Sequence, residues 1–201
     1  MPYTKPVTIE PYYGTPVWID HEVPIKEYLP LSAQCNSEEV ELFLLHLFGY
    51  NDIDVNKSLE EAFNDLFEQE SLVLSGGVAF FEDEQKVIMP SCCCGLEEIE
   101  DIYESIRNRM SPWLGHDPNP GVVYEDYCAR VLSNDPESTD PEKLYYIEYK
   151  YEELLESLEK TKNDLLEFIE KPLFDWIYLR NQEIAFEMIL KMKECFMKGM
   201  T

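Results

Sequence analysis

The spacing of apolar residues switches along this chain between a helical period and an alternating one, and that switching restricts the fold more than any motif. Val40, Phe43, Leu44, Leu47 and Phe48 recur at helical spacing, with Asn36 or Ser37 as the predicted cap and Gly49 as the predicted stop. Leu42 and Leu45 widen this face enough to bury the helix. Ser58-Leu59-Glu60-Glu61 has the form of a capping box ahead of the stripe Leu59, Ala62, Phe63, Leu66 and Phe67. The period then changes. Leu72 to Phe81 reads as strand, with Gly76-Gly77 as a tight turn or a bulge, and Lys86 to Met89 as a short strand ended by Pro90. A third helix is expected from Leu96 to Met110, with Ile99, Ile102, Tyr103, Ile106 and Met110 inward.

Pro112 to Gly121 is a loop. Val122 to Tyr124 and Cys128 to Leu132 are close enough to form a hairpin, and Leu144 to Tyr149 reads as a further strand after a polar connector from Asn134 to Glu142. From Tyr151 the period is helical to Phe196, interrupted by Pro172, which predicts two long helices, antiparallel or continuous with a kink. At the other end, Pro2, Pro6, Pro11, Pro16, Pro24 and Pro30 exclude a continuous helix and favour extended segments such as Val7 to Ile9 and Val17 to Ile19, an arm or edge strand. The expected fold is α+β: a mainly antiparallel sheet of short hairpins packed with helices, plus two long C-terminal helices. Residues 1–150 would form the core with its proline-rich arm, and 151–201 a helical extension packed on it, within a single domain overall.

Charge narrows the function. Against 16 Lys and Arg stand 41 Asp and Glu, a formal net charge of −25 on 201 residues. Such a surface repels nucleic acid, anionic lipid and phosphate-rich substrates, and it steers basic partners inward. A content of 45% hydrophobic and 13% aromatic residues separates the chain from acidic disordered tails. No window has the length of uncharged apolar residues that a membrane span needs, and the start lacks the apolar core of a signal peptide, so a cytoplasmic protein with reduced cysteines is expected.

Two segments concentrate chemistry. In Pro90-Ser91-Cys92-Cys93-Cys94-Gly95, followed by Glu97, Glu98 and Glu100, a thiol at a helix start gains from the dipole, but the carboxylates oppose a thiolate and no base lies in the segment. A packed turn of small buried cysteines is the expected role. The rival is tetrahedral zinc on Cys92 and Cys94 with His116 and Cys128, in a metal- or thiol-dependent enzyme or sensor, although adjacent thiols should diverge. In Ser111 to Pro120, Trp113 should pin the loop or, if exposed, anchor a partner; Gly115 and the prolines stiffen it, and His116 beside Asp117 lacks a nucleophile to activate. His21 and His46 read as isolated, His46 as a core residue. No phosphate-binding or dinucleotide fingerprint is present, and no cofactor is expected.

The series Gly76-Gly77, then Pro90, Cys92, Cys93, Gly95, Leu96 and Glu97, then Trp113, Gly115, His116, Asp117 and Pro118, resembles an uncharacterised bacterial cytosolic family. Acidic α+β families of this kind resemble immunity proteins of toxin systems, in the manner of the SUKH-type superfamily. The helical C-terminus lies outside the pattern, and no catalytic residue follows from the resemblance. What it implies, together with the charge, is a non-enzymatic binding protein that neutralises a basic toxin or nuclease. The candidate contacts are Glu82, Asp83 and Glu84, the group Glu97, Glu98 and Asp101, and Trp113. A homodimer across the C-terminal helices, through Trp176, Ile177, Ile184 and Met188, is a further expectation.

Overall fold

The computed structural model describes residues 1–9, 14–137 and 139–197; Pro11, Ser138 of the polar connector and residues 198–201 of the C-terminal segment lie outside these. The chain is α+β. Strands β1 (Tyr3–Ile9), β2 (Tyr28–Pro30), β3 (Gly76–Phe81) and β4 (Val87–Ile88) form an antiparallel sheet in the order β2-β1-β3-β4. A second antiparallel sheet has the order β5-β6-β7, from Gly121–Glu125, Cys128–Leu132 and Tyr146–Lys150. The helices are α1 (Ser37–Tyr50), α2 (Leu59–Phe67), α3 (Ile99–Arg107), α4 (Tyr151–Phe168), α5 (Phe174–Tyr178) and α6 (Gln182–Phe196).

Local signals account for most starts. Asn36 and Ser58 each accept from the backbone N–H three residues on, and Glu39 and Glu61 reach back to the cap N–H, so both helices begin with closed capping boxes. Gly49, expected to stop α1, lies inside it. The exit comes later because the Asn51 side chain donates to Leu47 O and to Val73 O, both at 2.8 Å, and Asp52 takes the left-handed conformation at φ 54°.

The proline-rich arm supplies both an edge strand, β2, and an inner one. β1 lies inside the sheet between β2 and β3. Pro6 is tolerated there because its carbonyl accepts from Leu31 N at 2.9 Å, so its backbone faces the β2 side and removes no bond to β3. Where β2 is too short to cover β1, α4 takes over: Thr4 N donates to Ser157 Oγ at 2.7 Å, and Thr4 Oγ1 meets Thr161 Oγ1 at 2.7 Å. Val17 to Ile19 is not extended; Val17 and Trp18 form a turn, with Ile19 N donating to Pro16 O at 3.0 Å.

Gly76-Gly77 is neither turn nor bulge. Both glycines sit in β3, and a Cβ on Gly76, at φ 149°, would lie 2.1 Å from Val7 O, so β1 packs against bare backbone there. Leu72 to Leu74 lead into the strand without joining it. The third helix is shorter than its pattern: a 3₁₀ turn at Leu96–Glu98 precedes α3, and Met110 is exposed.

α4 runs into α5 through a π turn at Ile169–Leu173 that contains Pro172, and α6 folds back along them. The wider turn absorbs a proline that has no N–H for the α-helical ladder. Lys193 paired with Glu170 at 2.5 Å, and Phe186 against Phe174 and Tyr178, place α6 antiparallel to this rod. Trp176, Ile177, Ile184 and Met188 are buried within the chain. One hydrophobic cluster joins the helices to both sheets, and Tyr149 of β7 donates to Tyr3 O and Phe81 O, tying the sheets together.

His21 is not isolated. Its Nε2 lies 2.8 Å from Glu41 Oε2, while Trp176 Nε1 donates to Glu41 Oε1 at 3.1 Å and Arg180 stands 3.8 Å from the same oxygen. Glu41, buried on helix α1, is thereby partnered from three sides.

Candidate functional site

The segment after β4 is stitched to the entry of β3: Gly76 N donates to Cys94 O and Leu96 N to Leu74 O, each at 3.2 Å. This seats the start of α3. Ser91 to Cys94 close a turn through Cys94 N to Ser91 O at 3.2 Å, with Cys93 left-handed at φ 66°. The loop carrying Trp113 and His116 crosses this turn, joined by Ser91 N to Leu114 O (3.3 Å) and Asp117 N to Ser91 Oγ (3.1 Å). At the crossing, a Cβ on Gly115 would come within 2.5 Å of Ser91 Cβ and 2.7 Å of Cys92 O, and φ is 96°. Only glycine fits so close a crossing of backbones.

The crossing sets His116 opposite the thiols. His116 Nδ1 is 3.9 Å from Cys92 Sγ, and the ligand atoms of Cys92, Cys93 and His116 all lie within 4.8 Å of one another. The expected turn of buried cysteines therefore holds for Cys94 alone, since Cys92 and Cys93 are exposed. Adjacent thiols diverge in an extended chain, and the left-handed residue at Cys93 turns the pair onto one side. Cys94 points inward instead, where burial and then the charge of Glu98 push its thiol up to about 12, so it stays protonated. Cys128 lies in β6 in register with Glu125 and Lys150. Neither joins the cluster, so of the four residues of the rival zinc reading only Cys92 and His116 come together, with Cys93 beside them.

Trp113 does not pin the loop to the core; the residue is 51% exposed and its ring stacks on His116 at 6.4 Å with a 25° tilt. It also walls a pocket of about 190 Å³ with Glu98, Asp101, Ile102, Ser105 and Pro112. The four residues from 98 to 105 share one face because helical neighbours recur at three and four positions. Ile102 is buried and gives the floor; Glu98 and Asp101 give the charge. Burial, reinforced by the neighbouring Glu97, holds the Glu98 carboxyl above its ordinary range. Its negative charge is under-compensated, a state that a cation would relieve.

Three of the expected partner contacts thus converge: Glu98, Asp101 and Trp113. Glu97 does not line the pocket; its carboxylate lies over Gly95, 2.2 Å from where a Cβ would stand. Glu82, Asp83 and Glu84 form the β3–β4 turn and do not line it either. Glu82 pairs with Lys86 at 2.8 Å, and Asp83 Oδ1 accepts from Gln85 N and Lys86 N. A larger depression, about 520 Å³, opens beside Arg109, Tyr127, Lys150 and Tyr151. Its cations are already engaged, Arg109 over the Tyr151 ring at 4.4 Å and Lys150 with Glu153 at 2.6 Å.

Sequence reasoning missed Cys93 as a partner of Cys92, the stack of His116 on Trp113, and the polar hub at Glu41. Gly115 in a proline-stiffened loop was the available signal for the first two, because a glycine can mark close backbone approach. Comparison with family models, with curated proteins and with solved structures yields no match for this chain.

Proposed function

We propose that this chain is a non-enzymatic, acidic binding protein whose Trp113 groove receives a Lys or Arg side chain of a basic protein partner. The observation that carries the reading is the pocket itself, which puts an exposed indole beside Glu98 and Asp101 on a chain of net charge −25. A cation over an indole gains from the ring's negative face, and two carboxylates at the rim add ion pairing. The chain already uses this chemistry internally: the Arg180 guanidinium stacks on Trp176 at 3.4 Å and faces the Glu41 carboxylate. With the resemblance to immunity families, the most concrete version is neutralisation of a basic toxin or nuclease in the cytoplasm, with carboxylates standing where the enzyme expects phosphates.

Capture from source-cell lysate at low and at high salt tests this. A basic protein should be retained at low salt and released as salt rises. Trp113→Ala should weaken retention about 30-fold, as for a hot-spot aromatic, and Glu98→Gln with Asp101→Asn should flatten the salt dependence. No basic protein captured at low salt, or capture indifferent to salt and to Trp113→Ala, would overturn the proposal.

A further inference from the structure

We propose that Cys92, Cys93 and His116 form a zinc(II) site with two thiolates, one imidazole and an open fourth position at the protein surface. This goes beyond the binding reading and does not depend on it. The donors decide the class of ion: two sulfurs and a ring nitrogen suit zinc, whereas magnesium and calcium take oxygen ligands.

The geometry is close to what that ion requires. With bonds of about 2.3 Å to sulfur and about 2.0 Å to nitrogen, the edges of a tetrahedron are roughly 3.5 to 3.8 Å. Cys92 Sγ and His116 Nδ1 already stand 3.9 Å apart, and no pair of the three donor atoms exceeds 4.8 Å. A contraction of at most about 1.3 Å closes the site, within the reach of side-chain rotation.

The approach of the donors is built into the backbone. Cys93 holds a left-handed conformation that costs energy in a residue with a Cβ, and this conformation brings consecutive thiols to one side. Gly115 permits the loop crossing, and Ser91 clamps it by accepting from Asp117 N next to His116. Trp113 lies alongside the imidazole, with ring centroids 6.4 Å apart and a 25° angle between the planes. The donors come from two loops of distant sequence, each held by hydrogen bonds to the other. Among the described residues, Cys94, Cys128 and the carboxylates nearby are not grouped with these donors, which leaves the fourth position to water or to an incoming ligand.

The test uses the full chain, reduced and stripped of metal with a chelator, then titrated with zinc(II) against a chromophoric competitor. One zinc per chain should bind, and cobalt(II) in its place should show thiolate charge-transfer absorption with the intense visible bands of tetrahedral coordination. Cys92→Ser, Cys93→Ser and His116→Ala, all at exposed positions, should each weaken binding at least about 100-fold, beyond what loss of an outer-shell group costs. Cys94→Ser and Cys128→Ser should bind as the parent does. Zinc should also protect Cys92 and Cys93 from maleimide while leaving the labelling of other thiols unchanged. No stoichiometric uptake at micromolar zinc, cobalt spectra without thiolate absorption, or uptake that survives His116→Ala or requires Cys94 or Cys128 would overturn the assignment. Circular dichroism of each variant separates a lost ligand from a lost fold.

Discussion

Acidification should destabilise this protein through His46. The imidazole is fully buried in α1, with Nδ1 2.9 Å from Thr8 Oγ1 and Nε2 without a hydrogen-bond partner among the described residues. Burial, with no carboxylate to offset it, lowers its pKa from 6.5 to about 4. The unfolded ring titrates near 6.5, so between the two values the unfolded state binds more protons than the folded one. The contribution of His46 is accordingly complete above pH 6.5 and is lost as pH falls toward 4. Two and a half units correspond to roughly 3 kcal/mol in all, of which about 2 kcal/mol disappears between pH 7 and pH 5. Other groups titrate nearby. His21, raised by its bond to Asp20 and the charge of Glu41, acts in the opposite sense, stabilising at low pH and less as pH rises through its folded value. The comparison that isolates His46 is urea unfolding of the parent and of His46→Gln, an amide that can still meet Thr8 Oγ1, at pH 7, 6 and 5. A constant offset between the two reflects packing; the parent's extra loss of about 2 kcal/mol at pH 5 reflects the buried imidazole. Stability curves that run parallel within about 0.5 kcal/mol from pH 7 to pH 5 would refute the argument.

Two further perturbations follow from close approach and from burial. Gly76→Ala places a Cβ 2.1 Å from Val7 O, whereas Gly77→Ala meets its nearest atom at 3.3 Å, so both are strained but the first also forces β1 off β3. Thermal unfolding should show Gly76→Ala costing about 3 kcal/mol or more and clearly exceeding Gly77→Ala; the reverse order would contradict the register. Glu41→Ala leaves Trp176 Nε1 without its acceptor and Arg180 without its nearest carboxylate, at a cost of about 3 kcal/mol, while Glu41→Gln keeps an acceptor and should lose less. Urea midpoints measured for the pair should separate accordingly, and equal midpoints would mean that the hub contributes only packing.

The partition between sequence and tertiary structure can be traced residue by residue. Asn36 and Ser58 announce α1 and α2 because capping boxes close within four residues, and the apolar stripes of α3, α4 and α6 are legible because a helix repeats within one turn. The hairpin of β5 and β6 is legible for the same reason, its partners lying almost adjacent in the chain. Net charge, a sum over residues, needs no fold at all. What depends on distant partners was hidden. Pro6 looks like an edge residue until β2 and α4 are seen to cover its side of β1, and Glu41 looks like a solvated carboxylate until His21, Trp176 and Arg180 are seen around it. The site belongs to this second class. Cys92, Cys93, Trp113 and His116 were visible as residue types, but their grouping rests on a left-handed turn and on two loops crossing at Gly115. Conformation at one residue and contact between remote loops are decided by the packing of the whole chain, so sequence alone determined the capped and amphipathic helices, the β5–β6 hairpin and the charge, and tertiary structure decided sheet order and which side chains meet.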